Sequence, residues 1–198
     1  MGGYRSIDTN PLLIEDWLPI QELGIEARRE NSTGQHPPPN RLHVWWARRP
    51  LVVSRAAVLA SLLPAWRPDW PERLRQRFPT RDAYHAWVRW LLGIHGDPIA
   101  ARQRIAEADA HGKRLGADAY GYRRAFTFSP DQAALTELQE IFFDYWRADS
   151  ITVLDPTAGG GSIPLEALRL GLSVYANELN PVAALILAAT LDYPARFG

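Results

Sequence analysis

Toward the C-terminal end of the chain a short β-branched run, Ile151-Thr152-Val153-Leu154, meets a turn with three consecutive glycines, Gly159-Gly160-Gly161. This junction constrains the fold more than any other feature. A strand that feeds a glycine turn and then a helix brings backbone N–H groups to the carboxyl edge of a sheet. Glycines leave that backbone approachable, because no Cβ intrudes. The helix is expected from Pro164 to Leu170, with Gly171 as its stop. A second apolar strand, Leu172-Ser173-Val174-Tyr175-Ala176, follows at once, and Pro181 then opens a helix to about Leu191. Strand, helix and strand in that order predict a βαβ unit with a parallel pair. Upstream, Ser129-Pro130-Asp131-Gln132 predicts a helix start, with Ser129 as cap and Pro130 as first helical residue. Leu135, Leu138, Phe142, Tyr145 and Trp146 form its apolar face.

The turn has a chemistry of its own. Glu178 lies just past the second strand, 23 residues after Asp155 and at the same sheet edge. An acid there suits a ribose, since its two oxygens accept from the two hydroxyls of a diol. The dinucleotide pattern G-x-G-x-x-G fails, because the third small position counted from Gly159 is Pro164. No G-x-x-x-x-G-K-[ST] is present either. Asp155 at the end of the first strand repels a pyrophosphate and suits a ligand that carries an ammonium group. These residues together predict S-adenosylmethionine. Asn180 is open to two readings, a cap for the following helix and a side chain facing the adenine.

The rest of the chain divides into residues 1–65, an Arg- and Trp-rich helical insert at 66–128, and the nucleotide-binding segment at 129–198. In the first part an apolar segment runs from Leu12 to Leu18. Pro19 opens a helix with Ile20, Leu23 and Ala27 on one face, and a loop follows over Asn31 to Asn40. Pro50 opens a helix to about Leu63 whose one charge is Arg55, which predicts burial. Between them Trp45, Trp46, Arg48 and Arg49 form an aromatic–basic cluster. It reads either as a wall of a cofactor or DNA cleft or as two core tryptophans with arginines paired to carboxylates. In the insert, helices are expected over Arg81–Leu92 and from Asp97-Pro98 to about Ala110, with loop over 111–125. Its arginines could track a DNA backbone, but interleaved acids favour a solvated helical surface.

Composition excludes some classes. With 46% hydrophobic residues the chain can bury a core. The lack of cysteine excludes disulfides, thiolate zinc sites and a cysteine nucleophile in these residues. The five histidines show no ligand spacing, so no metal is expected. A net charge of zero decides nothing about nucleic acid. Neither a secretory leader nor an apolar run of the ~20 residues a membrane span requires is visible, so a cytoplasmic protein is expected.

Asp155-Pro156-Thr157-Ala158-Gly159-Gly160-Gly161-Ser162 resembles motif I of amino-group DNA methyltransferases (D-P-F-x-G-x-G-T), with Thr157 where Phe is usual. Taken with Leu42-His43-Val44-Trp45-Trp46-Ala47-Arg48-Arg49-Pro50 and Asn177-Glu178-Leu179-Asn180-Pro181, it resembles the N-terminal region of DUF1156-containing, adenine-specific DNA methylases. The resemblance implies an α/β fold: a Rossmann-like methyltransferase sheet, here one βαβ unit, preceded by a helical N-terminal region. It implies S-adenosylmethionine held by Asp155, Pro156, Thr157, Ala158, Gly159, Gly160, Gly161, Glu178 and Asn180, and the N6 amino group of adenine in DNA as methyl acceptor.

Such enzymes use an (Asp/Asn/Ser)-Pro-Pro-(Tyr/Phe) loop to hold the flipped base. Here His36-Pro37-Pro38-Pro39 lacks the aromatic, and Asp192-Tyr193-Pro194 has the wrong order. The expectation is therefore a cofactor-binding N-terminal part without catalytic residues, the catalytic loop coming from further sequence or a second chain. The alternative is a non-catalytic DNA- or partner-binding subunit of a restriction or phage-defence system. Methyl transfer to RNA or protein on the same fold is a third reading. Two strands alone leave an exposed sheet edge and bare apolar helix faces, which predicts poor solubility or a partner chain.

Overall fold

A computed structural model describes residues 11–32, 37 and 41–197. The N-terminal residues before Pro11 and most of the Asn31–Asn40 loop, including His36, Pro38 and Pro39, lie outside the described residues. The elements are α1 (Leu13–Asp16), α2 (Ile20–Asn31), α3 (Leu51–Leu62), α4 (Glu72–Arg77), α5 (Arg81–Leu91), α6 (Pro98–Ala110), α7 (Gln132–Trp146), β1 (Thr152–Asp155), α8 (Ser162–Arg169), β2 (Ser173–Ala176), α9 (Pro181–Leu187) and α10 (Tyr193–Phe197). Short 3-10 turns at Ala117–Tyr120 and Ala125–Thr127 lie between α6 and α7, and a π-helical turn, Ala188–Asp192, joins α9 to α10. The chain is a mixed α/β structure. Among the described residues no helix is long and apolar enough to cross a membrane.

One apolar core runs through all three sequence segments. Leu59 and Leu63, Tyr84, Leu91 and Leu92 of the insert, and Leu138, Ala167 and Leu170 all belong to one buried cluster. Trp70, Phe78 and Tyr84 pack edge-on, Phe78 and Trp87 tilted, and Tyr84 and Trp87 stacked, with ring centroids 5.0–6.3 Å apart, within the range where the rings' quadrupoles attract. Four of the insert's eleven arginines pair with acids of neighbouring elements: Arg73 with Glu140 and Asp144, Arg77 with Glu137, Arg81 with Asp16 and Arg89 with Glu22. They behave as a paired helical surface.

β1 and β2 pair in parallel, with Thr152 opposite Ser173 and Asp155 opposite Ala176. Val153 and Val174 point at the core. On the other face Leu154 and Tyr175 are 66% and 70% exposed. Parallel sheets are ordinarily covered on both faces, so this face is an open surface. No further strand pairs with either edge among the described residues. A groove of 510 Å³ lies along β2 and α9, lined by Val174, Tyr175, Leu187, Ala188 and Leu191 and reaching Asn177 and Glu178 at one end.

Several expectations need correction. Ile20 is 67% exposed. Leu23 is buried and Ala27 packs against the core as expected, but the buried side of α2 also carries Glu26, Arg29 and Glu30, because its charges have partners: Glu26 accepts from Ala125 N (2.9 Å) and Tyr122 Oη (2.7 Å). The cap of α7 is Asp131, whose side chain accepts from Ala134 N, so Pro130 lies outside the helix. Ser129 Oγ accepts from Arg169 instead. α8 starts at Ser162, two residues before Pro164. Proline is tolerated there because N–H groups in a first helical turn have no intrahelical acceptor.

Candidate ligand site at the glycine loop

The loop between β1 and α8 is fastened to the loop after β2. Ala158 N donates to Asn177 O (3.0 Å), Asn177 N to Asp155 O (2.9 Å) and Asn177 Nδ2 to Pro156 O (3.2 Å). Buried Asp155 turns a carboxylate oxygen back onto Thr157 N at 3.2 Å. Gly159 and Gly161 adopt left-handed φ angles of 52° and 81°, a region that disfavours residues with a Cβ. Pro156 and Thr157 are exposed at the lip of the loop, whereas Ala158 is buried.

Glu178 closes the arrangement. One carboxylate oxygen accepts from Gly159 N at 2.7 Å, and the other from Leu179 N (2.9 Å) and Asn180 N (3.1 Å). The backbone donors of Asn180 and Gly159 hold its carboxyl below the ordinary glutamate range. A carboxylate has about four acceptor positions, so three N–H bonds leave capacity for a ligand hydroxyl. Asn180 caps α9, its Oδ1 accepting from Val182 N (2.9 Å) and Ala183 N (3.4 Å). That supports its reading as a helix cap.

The glycine loop is packed from both sides. A Cβ on Gly159 would come within 2.9 Å of Trp45 Nε1, and one on Gly160 within 3.0 Å of Trp45 Cβ. A Cβ on Gly161 would meet Leu187 Cδ2 at 2.8 Å. At Gly159 and Gly161 a left-handed φ and a close neighbour together favour glycine, while at Gly160 the neighbour alone leaves little room for a side chain. Of the aromatic–basic cluster, Trp45 is thus brought to the loop. Trp46 is 89% exposed, and Arg48 and Arg49 are exposed without an ion pair among the described residues. The alternative of two core tryptophans with paired arginines is not what the structure shows.

Sequence reasoning missed the buried charges behind the loop. Arg55 and Glu166 are fully buried, with Arg55 Nε 2.5 Å from Glu166 Oε2. Glu166 Oε1 also accepts from Arg169 Nη1 (2.7 Å). Glu30 caps α3, accepting from Leu51 N (2.8 Å) and Val52 N (3.3 Å). Burial raises its pKa to about 7. The available signal was Arg55 itself, a lone charge in an apolar helix, which needs a buried partner. Among the described residues no group of His, Asp and Glu could hold a metal ion.

Residues 17–89 match the model of a family described as a protein of unknown function (DUF1156). The chain carries a DUF1156 region. That region spans α2 to α5, supplies Trp45 and Arg55, and ends well before the glycine loop and Glu178. No curated protein and no solved structure matches the chain.

Proposed function

We propose that this chain binds S-adenosylmethionine at the glycine loop and forms the cofactor-binding part of a Rossmann-like DNA adenine-N6 methyltransferase. One observation carries the reading. The acid that ends β2 and the glycine turn that ends β1 meet at one sheet edge, Gly159 N donating to Glu178 at 2.7 Å. That edge is where open α/β sheets take ligands.

The local charge favours this cofactor over a phosphate ligand. Asp155 and Glu178 are both acids, and no Lys or Arg occurs within residues 151–168 or 170–195. A cationic sulfonium and ammonium suit such a site, and a triphosphate does not. Glu178 and the backbone of Gly159–Gly161 are the groups that hold the ligand, Glu178 taking the ribose hydroxyls. Asp155 supplies negative charge beneath it. When bound, S-adenosylmethionine supplies a methyl group on a positively charged sulfur. The base-holding loop is absent from these 198 residues, so in this reading it comes from further sequence or a second chain.

A second reading, a non-catalytic subunit that binds DNA or a partner, draws support from the open Leu154–Tyr175 face. Transfer of a radiolabelled methyl group to DNA separates the two. The protein is assayed together with continuing or adjacent sequence that carries the base-holding loop. Label in N6-methyladenine, lost in Glu178→Ala, supports the enzyme. Cofactor binding without transfer in any such combination favours the subunit.

A further inference from the structure

We infer that Trp45 is a ligand-contacting wall of the glycine-loop site, so that the DUF1156 region contributes a binding residue to a loop that lies outside it. The inference rests on the cofactor reading above and adds the role of a second segment.

The geometry is direct. Trp45 lies where a Cβ on Gly159 or Gly160 would point, 2.9 Å from the first and 3.0 Å from the second. Trp45 is only half-buried, so it keeps accessible surface beside its contact with the loop. An indole offers a flat apolar surface and one N–H donor, the features that suit a purine or a thioether chain. Among the described residues, no backbone hydrogen bond holds residues 43–49. The segment is firmly anchored at its downstream end. Glu30 binds the N–H groups of Leu51 and Val52, and Arg55 clamps α3 to Glu166 of α8, the helix that follows the glycine loop. This anchor fixes the downstream base of the segment that carries the indole.

Two measurements on the full chain test this, with S-adenosylmethionine as the probe. Hydrogen–deuterium exchange should show the amides of residues 43–49 slowed at least about five-fold by saturating ligand. Calorimetry should show Trp45→Ala weakening binding at least about ten-fold, with Trp45→Phe within about three-fold of the wild type. Should Trp45→Ala misfold by circular dichroism, the exchange data and Trp45→Phe carry the test. If the wild type binds and Glu178→Ala weakens that binding, but Trp45→Ala binds normally and 43–49 is unprotected, this inference fails alone. Tighter binding by Trp45→Ala would make the indole an obstruction and overturn it. No binding by the wild type overturns both this inference and the cofactor reading.

Discussion

Replacing Arg55 by methionine should destabilise the protein by about 3 kcal/mol. Arg55 and Glu166 are both fully buried, and the guanidinium also donates to Phe128 O at 2.7 Å. Removing one partner of a buried pair typically costs ~3–5 kcal/mol, because the other charge is left uncompensated. The lower end applies here. Glu166 keeps Arg169 at 2.7 Å, and Phe128 O keeps Arg169 Nη2 at 2.6 Å. The reverse change, Glu166→Leu, strands Arg55 among carbonyl groups and should cost more, about 4–5 kcal/mol. The double variant should cost less than the sum by at least about 2 kcal/mol, since apolar replacement of a whole buried pair is often near neutral. Urea denaturation reads this directly. With a slope near ~2 kcal/mol/M, a loss of 3 kcal/mol moves the midpoint by about 1.5 M. Single costs below about 1 kcal/mol that simply add would refute a desolvated, coupled pair.

Other consequences follow from neighbouring features. Glu30 is 5% exposed and its pKa is raised from 4.5 to about 7, so the folded state holds its proton more tightly than the unfolded chain. Its contribution to stability is present in full below pH 4.5 and is lost as pH rises to about 7, amounting to roughly 3 kcal/mol. Melting curves across that window should lose this slope in Glu30→Gln, and an unchanged slope would contradict the assignment. Gly161→Ala meets both a φ of 81° and Leu187 Cδ2 at 2.8 Å, so it should cost about 1–3 kcal/mol in denaturant titrations. Leu154→Thr combined with Tyr175→Thr should reduce self-association in light scattering, if the open sheet face is a sticky surface.

How much of this was legible in the sequence depended on whether the cause was local. Gly171 and Gly93 end helices with positive φ, and Asp97-Pro98 starts α6 through its own cap. Both strands and their parallel pairing followed from a short apolar run on each side of a helix. Where two residues could play one role, the local pattern chose Ser129 as the cap of α7, whereas the structure uses Asp131. Ser129 and Asp131 are both good caps, and Arg169 of α8 takes Ser129. Periodicity missed part of α2's buried side because Glu26, Arg29 and Glu30 are buried charges: Glu26 and Arg29 pair with each other, and their further partners and those of Glu30 lie 21 to 99 residues away. Within the site, the shared edge of Glu178 and the glycine loop was readable from spacing. The contact of Trp45 with that loop spans more than 100 residues and depends on how α3 packs against α8, which no local pattern encodes.

The central claim is that the glycine loop and Glu178 hold S-adenosylmethionine, and isothermal titration calorimetry tests it most directly. The wild type should bind S-adenosylmethionine and not ATP. Glu178→Ala should weaken the binding by more than about 1 kcal/mol, the scale of a hydrogen bond to a charged group. Undiminished binding by Glu178→Ala, or equal binding of ATP, would contradict the account.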